Sequence, residues 1–264
     1  FQFQPSEIAK GTVILATAQI LSAMQTDKGA DKHAMGYIIV VWLMLVPLIM
    51  VENLSTAALL SLVVLIMMVV GRVPGKQLGK LLGLLTLAGI FVISVVWFTG
   101  KDETQNPNNL TEQVDNKQDG SKRSGGILHR MDTWKARINK FVNHKELAPN
   151  EVDLDKDAQV AHANIAIATA NYVGKGPGNS VERDLLSQAF SDFIYAIIIE
   201  EMGIEGALFV ALLYIILLFR TGRIASRCEN NFPAFLAMGL ALLLVTQALF
   251  NMCVAVGLAP VTGQ

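Results

Sequence analysis

Long apolar segments constrain the fold of this chain more than any other feature. A bilayer core accepts a helix of about 20 mostly apolar residues, and fewer where flanking side chains reach the interface. Six segments meet this requirement, at residues 6–24, 37–51, 55–70, 79–98, 200–219 and 233–256. Because 52% of all residues are apolar, the composition is not that of an ordinary soluble domain. The pattern predicts an all-α polytopic membrane protein, with a bundle of about six transmembrane helices.

Basic residues in the short loops predict how these helices are oriented. Lysine and arginine are absent from loop 52–55 and gather in the loops at 25–36, 71–80 and 220–231. Because loops rich in lysine and arginine face the cytoplasm, both ends of the chain are expected to lie outside. The long polar insertion after the fourth segment then forms one large extracytoplasmic loop.

The chain is therefore divided into three parts. We predict four transmembrane helices, the extracytoplasmic loop and two further transmembrane helices over residues 1–98, 99–191 and 192–264. Within the loop, residues 101–126 are polar with almost no large apolar groups, which predicts disorder. Residues 157–168 predict an outer helix on the membrane face. One long helix over 192–219 would measure about 42 Å, so its first turns extend beyond a hydrocarbon core of about 30 Å.

Asp192 is the leading candidate for a functional residue. It follows the glycine-rich run at 174–180 and stands at the start of the helix that is predicted to extend outward. An ionisable residue at the edge of a span is a functional candidate by default. Ser191 and Asp192 also have the chemistry of a helix N-cap. Capping therefore stays open as the alternative to a direct chemical role.

Two further groups of charged residues could accompany Asp192. Glu7 and Lys10 are three residues apart and share one face of the first helix. They are either a pair that reaches the interface or a charged pair that lines a cavity. Arg130 and Arg137 give the outer loop a basic face, which suits lipid headgroups or the pyrophosphate of a lipid carrier.

The glycine-rich run adds candidates for substrate binding. Backbone N–H groups in such a turn can hold an anion, and basic residues lie in and after it. With the residue before Asp192, the candidates are Lys175, Asn179, Ser180, Arg183 and Ser191. The run lacks the residue order of a phosphate loop, and the four histidines lack the spacing of metal ligands. We expect neither nucleotide binding nor a dedicated zinc site.

Several short motifs together resemble the SEDS family of shape, elongation, division and sporulation proteins. The chain is closest to its cell-division members, in the form found in Bacteroidota. The matching motifs lie at 4–10, 52–56, 176–180, 191–203 and 257–263, with Asn251. The resemblance implies a ten-helix fold, of which this chain would hold spans four to nine. Since the chain begins with Phe1 rather than Met, we expect it to be a fragment of a longer protein.

The resemblance also implies a function. The family polymerises lipid II into glycan strands on a polyprenyl-pyrophosphate carrier. It works in the bacterial inner membrane, here at the division septum, with a class B penicillin-binding protein and other division proteins. Asp192 matches the family's essential aspartate, and Glu7 and Lys10 match its conserved charged pair. Arg130 and Arg137 fall where the family has outer-loop arginines.

Two alternatives to a glycosyltransferase stay open at this point. One is a flippase for lipid-linked precursors, and the other is a non-catalytic scaffold of the division machinery. Transporters usually keep their binding groups near the bilayer midplane at broken helices, whereas the charges here gather at the outer edge of the spans. The sequence identifies no cofactor, although a divalent cation, magnesium or manganese, would suit pyrophosphate chemistry. No nucleic-acid partner is expected.

Overall fold

The computed structural model describes residues 5–27, 29–99, 158–170, 172–185 and 193–259. This part of the chain contains α-helices α1 (Pro5–Ala23), α2 (Ala34–Glu52), α3 (Leu54–Val70), α4 (Gly75–Thr99), α5 (Ala158–Thr169), α6 (Ile194–Ala225) and α7 (Asn231–Ala255). Strands β1 (Gln25–Thr26) and β2 (Gly29–Ala30) form a short antiparallel ladder between α1 and α2. A 3-10 turn covers Glu182–Asp184.

The predicted all-α architecture is confirmed for the described residues. Each of the six apolar segments matches a helix to within one residue, and α5 is the helix predicted over 157–168. Its location on the membrane face stays a prediction. By length and composition, α6 and α7 can cross a membrane, while Ala34–Met50 and Leu54–Val70 are shorter apolar helices. The count of six spans and the single large outer loop stay predictions. The predicted disorder at 101–126 lies outside the described residues.

The sequence explains where α2 ends and α3 begins. α2 runs through Pro47 without ending there, as expected for an apolar helix whose freed backbone groups find other partners. Asn53 separates the two helices in an extended conformation, and its N–H donates to the carbonyl of Ile49 at 2.7 Å. Its side chain accepts a hydrogen bond from the N–H of Thr56 at 3.3 Å. One residue therefore ends α2 and caps α3.

Two compact units divide the chain, residues 1–81 with 148–264 and residues 82–147. In the second unit, the described residues 82–99 continue α4. In the first, α1, α2, α3 and α7 pack around a buried cluster that includes Ile14, Leu21, Ile38, Leu60, Met67 and Leu242. Close packing of α7 depends on Gly239, where an added Cβ would lie 2.7 Å from Ile14 Cγ2 and 2.8 Å from Met67 Cε.

The long helix predicted over 192–219 is present, but it is interrupted. Gly203 lies within α6 with φ 71° and ψ −173°, which are not helical values. Such angles are almost confined to glycine. The expectation of one uninterrupted helix is therefore wrong, because a preceding loop packs against α6 at this point and the backbone changes direction to receive it.

Candidate functional site

The interruption in α6 is filled by the glycine-rich run. The carbonyl oxygens of Glu200 and Glu201, in the turn before the break, accept hydrogen bonds from outside the helix. The N–H of Lys175 donates to the Glu200 oxygen at 2.9 Å, and the N–H of Gly176 donates to the Glu201 oxygen at 2.8 Å. A broken helix in an apolar environment is stable only where its backbone groups find such partners. The loop and the break therefore form one unit.

Two facing glycines allow this close approach. Gly174 has φ +76° and Gly203 has φ +71°. A Cβ added to Gly203 would meet the Tyr172 carbonyl oxygen and would lie 2.7 Å from the Gly174 nitrogen. A Cβ added to Gly174 would meet the Glu201 carbonyl oxygen and the Gly203 nitrogen. Because glycine alone adopts these angles without a steric penalty, neither position accepts a side chain without moving the backbone.

A buried carboxylate lies at the centre of the unit. The side chain of Glu200 is 0% exposed, and Lys175 Nζ lies 2.5 Å from its Oε1. Ser180 Oγ donates to Oε2 at 2.5 Å, and the N–H of Val181 donates to Oε1 at 3.2 Å. Lys175 Nζ also donates to Thr169 Oγ1 at 3.1 Å. Charge-assisted hydrogen bonds of this kind are about twice as strong as neutral ones. Glu200 therefore attaches the loop to α6, and Lys175 connects the loop to α5 through Thr169.

Further polar contacts surround this carboxylate. The N–H of Arg183 donates to Ser180 Oγ at 3.1 Å, and Arg183 Nη1 lies 3.6 Å from Glu201 Oε1. His162 Nδ1 lies 2.6 Å from Glu182 Oε2, which connects α5 to the 3-10 turn. Together these contacts hold the C-terminal end of the segment at 172–185 against α5 and α6.

Apolar packing fixes α5 against the start of α6. Ala163 and Ala166 on α5 are buried together with Phe193, Ala196 and Ile197. The small alanine side chains let the two helices approach closely. Across the break, Tyr195 Oη donates to the carbonyl of Ala207 at 3.2 Å, which braces the two halves of α6.

A second charged pair lies on α1. Lys10 Nζ donates to Glu7 Oε1 at 2.6 Å, and the Lys10 side chain is only 4% exposed while that of Glu7 is 59% exposed. The predicted pairing on one helix face is confirmed. Among the described residues, no hydrogen bond or ion pair joins this pair to the Glu200 carboxylate. Whether the pair lines a cavity for substrate stays a prediction.

The structure brings together four of the predicted substrate-binding residues. Lys175, Asn179, Ser180 and Arg183 all lie on the loop that packs against α6. Asn179 Nδ2 donates to the Lys175 carbonyl oxygen at 3.1 Å and so stabilises the loop itself. Their contacts with a substrate stay predictions. The remaining candidates outside the described residues are Arg130, Arg137, Ser191 and Asp192, so both the catalytic and the capping roles of Asp192 stay predictions too.

Glu200 lies at the centre of the site but is not among the site residues predicted from the sequence. The available signal was a carboxylate inside the run that follows Ile194, because an ionisable residue in an apolar helix requires a partner. That partner, Lys175, is 25 residues away along the chain, and no helical spacing indicates the pairing. The contact between His162 and Glu182 was missed for the same reason, with a separation of 20 residues.

The arrangement of possible metal ligands does not indicate where a metal ion would bind. Within the described ranges, no group of three or more His, Cys, Asp or Glu residues could hold a metal ion. Both oxygens of the Glu200 carboxylate are engaged by protein donors. A role for magnesium or manganese stays a prediction, and we assign no step to it.

Comparison with known proteins relates the whole chain to a family of cell cycle proteins. The model of the family that takes its name from FtsW, RodA and SpoVE matches residues 1–264. The "Probable peptidoglycan glycosyltransferase FtsW" of Nitrosomonas europaea is 28% identical over 268 residues, which cover 99% of this chain and 58% of the relative. The protein of the same name in Geobacter sp. strain M18 is also 28% identical, and the match covers 100% of this chain and 61% of the relative.

A relative from Bacillus subtilis and a solved structure agree with this match. The Bacillus subtilis protein has the same printed name and is 28% identical, with 98% of this chain and 57% of the relative covered. A chain from a structure described as "Structural coordination of polymerization and crosslinking by a peptidoglycan synthase complex" matches with a TM-score of 0.64 and 22% identity. The match covers 100% of this chain and 62% of that one, and it shows a shared fold. This chain spans about three fifths of the length of the curated relatives it matches.

Proposed function

This chain belongs to the FtsW, RodA and SpoVE family of cell cycle proteins, and we propose that it is part of a peptidoglycan glycosyltransferase. The protein would polymerise lipid II into glycan strands during cell division. The observation that carries the proposal is the match of the family along all 264 residues, together with relatives whose printed name states this activity.

The proposed chemistry is glycosyl transfer from a polyprenyl-pyrophosphate donor. Asp192 accepts the proton of the acceptor sugar hydroxyl on lipid II, and the hydroxyl oxygen bonds to the anomeric carbon of the growing strand. The bond from that carbon to the pyrophosphate oxygen breaks, and the polyprenyl pyrophosphate leaves. A positioned general base of this kind contributes on the order of 100- to 10,000-fold to the rate.

Cations near the donor support departure of the pyrophosphate. Lys10, Arg130, Arg137 and Arg183 are proposed to stabilise the charge that develops on it, as preorganised donors do in acyl and phosphoryl transfers. A divalent cation would supply the same stabilisation. Glu7 then holds the ammonium of Lys10 in place through the 2.6 Å hydrogen bond.

We further propose the setting in which this reaction takes place. Six transmembrane helices, with both ends of the chain outside, would put the loop at 172–185 and Asp192 on the outer face of the bacterial inner membrane. This agrees with the distribution of basic residues. At the septum, a class B penicillin-binding protein would cross-link the strands, which suits the fold shared with a peptidoglycan synthase complex.

One observation favours a flippase as a second candidate. Transporters often bind their cargo at discontinuous helices, and α6 is broken at Gly203. However, the carbonyls before this break are bonded to Lys175 and Gly176, and the Glu200 carboxylate is surrounded by donors from the protein. A break that is already filled by its own chain offers a substrate few binding groups. We therefore rank glycosyl transfer first.

A polymerisation assay with purified full-length protein and its partner synthase tests the proposal. We expect glycan strands from lipid II with the wild-type protein and none with Asp192→Asn, which keeps the side-chain volume and removes the base. Glu205→Gln, on the exposed side of α6, is the matched control and should retain activity. Full polymerisation by Asp192→Asn would overturn the assignment of the base. Translocation of lipid II without strand formation by the wild type would favour the flippase.

A further inference from the structure

We propose that Glu200 is a positioning residue of this site and that Lys175 is its counter-ion, rather than a ligand of the substrate pyrophosphate. The inference rests on the proposed function and deepens it, because the loop that this pair holds carries the predicted substrate-binding residues. Neither residue is assigned to the reacting atoms. Their task is to fix the loop at 172–181 on the broken helix.

The burial of Glu200 requires a partner of this kind. A carboxylate that is 0% exposed is strongly destabilised unless it is neutralised and hydrogen-bonded. Lys175 supplies the charge at 2.5 Å, and Ser180 and Val181 supply two further donors. All three partners belong to the loop. If the loop left α6, the Glu200 carboxylate would lose all of these partners.

The ammonium of Lys175 is likewise bound by protein groups. It lies between Glu200 Oε1 at 2.5 Å and Thr169 Oγ1 at 3.1 Å, and therefore connects α5 to α6. A pyrophosphate that recruited this ammonium would have to separate it from the buried carboxylate. The side chains of Lys175 and Arg183 are almost equally exposed, at 29% and 31%. The contact of Arg183 with Glu201 is longer, at 3.6 Å.

The loop is also fixed by its backbone at the same place. The N–H groups of Lys175 and Gly176 bond to the carbonyls of Glu200 and Glu201. Farther along the chain, Phe193 is buried against α5 at the start of α6. Val181 and Phe193 are thus both held in place, and in the sequence Asp192 directly precedes Phe193. Loss of the Glu200 pair would release the first attachment.

The test compares the two single substitutions with the double variant, in which both charges of the ion pair are removed. Lys175→Met, Glu200→Gln, the double variant and Glu205→Gln are made in the full-length protein and assayed with its partner synthase on lipid II. We expect Lys175→Met to lower kcat by on the order of 100-fold, the size of effect that a misplacement of about 1 Å produces. The double variant should recover most of this loss, because a buried ion pair can often be replaced by neutral groups of similar volume. Glu205→Gln should match the wild type.

Hydrogen exchange of the peptide that covers 172–185 gives a second readout. Protection should fall in Lys175→Met and return in the double variant, since the amides of Lys175 and Gly176 exchange only when the loop leaves α6. A double variant as inactive as Lys175→Met, with a raised KM for lipid II and normal protection, would show that Lys175 contacts the substrate and would overturn the proposal.

Failure of the inference and failure of the proposed function are distinguishable. If the wild-type protein forms no glycan, the proposed function is wrong, and the exchange pattern still tests the positioning role. If the wild type polymerises lipid II but Lys175→Met leaves both kcat and protection unchanged, the proposed function stands and the positioning role is wrong.

Discussion

Substitution of Gly203 by alanine is the sharpest test of the broken helix. At φ 71° and ψ −173°, a residue with a Cβ is strained by about 1–3 kcal/mol. The new methyl group would also meet the Tyr172 carbonyl oxygen and the Gly174 nitrogen, so the loop must move away. Loss of the hydrogen bonds from Lys175 and Gly176 adds about 0.5–1.5 kcal/mol each. The expected destabilisation is therefore about 2–6 kcal/mol.

Gly222 offers a matched control in the same helix. An alanine Cβ there would meet only Met238 Cε, at an ordinary 3.5 Å, so Gly222→Ala should be neutral or stabilising by up to about 1 kcal/mol. Equilibrium unfolding of the full-length protein in detergent micelles, followed by tryptophan fluorescence, measures both variants. If Gly203→Ala is no less stable than Gly222→Ala, α6 is not broken as described and the account of the loop is wrong.

Three further variants test other parts of the structure. Ser180→Ala should destabilise the protein by about 1.5–3 kcal/mol, because it removes a donor to a buried carboxylate. Its control, Ser226→Ala at an exposed position, should change the free energy of unfolding by less than about 0.5 kcal/mol. Equal effects of the two substitutions would contradict this prediction. Asn53→Ala should lower the free energy of unfolding by about 1 kcal/mol through loss of the α3 cap. Lys10→Met combined with Glu7→Gln should raise KM for lipid II if the pair serves the substrate, whereas an unchanged KM would leave it a structural pair.

The helices could be predicted from the sequence because each depends on local composition. A run of about 20 apolar residues is recognised whatever it packs against. The pairing of Glu7 with Lys10 was also predictable, since a separation of three residues puts both on one helix face.

The break at Gly203 and the role of Glu200 could not be predicted in the same way. Glycine is common in apolar helices, and its left-handed conformation here is imposed by the approach of Gly174 from a distant loop. The pairing of Glu200 with Lys175 likewise depends on tertiary packing that no local period reports. The glycine-rich run was correctly predicted as a turn, but the sequence alone did not indicate which helix it packs against.

Release of polyprenyl pyrophosphate from purified lipid II tests the central claim most directly. Each glycosidic bond that the protein forms must free one such molecule, whereas a flippase or a scaffold frees none. With full-length protein and its partner synthase, we expect release in step with strand growth, and neither release nor growth with Asp192→Asn. Transfer of lipid II across a vesicle membrane by the wild-type protein, with no release of polyprenyl pyrophosphate, would contradict the account.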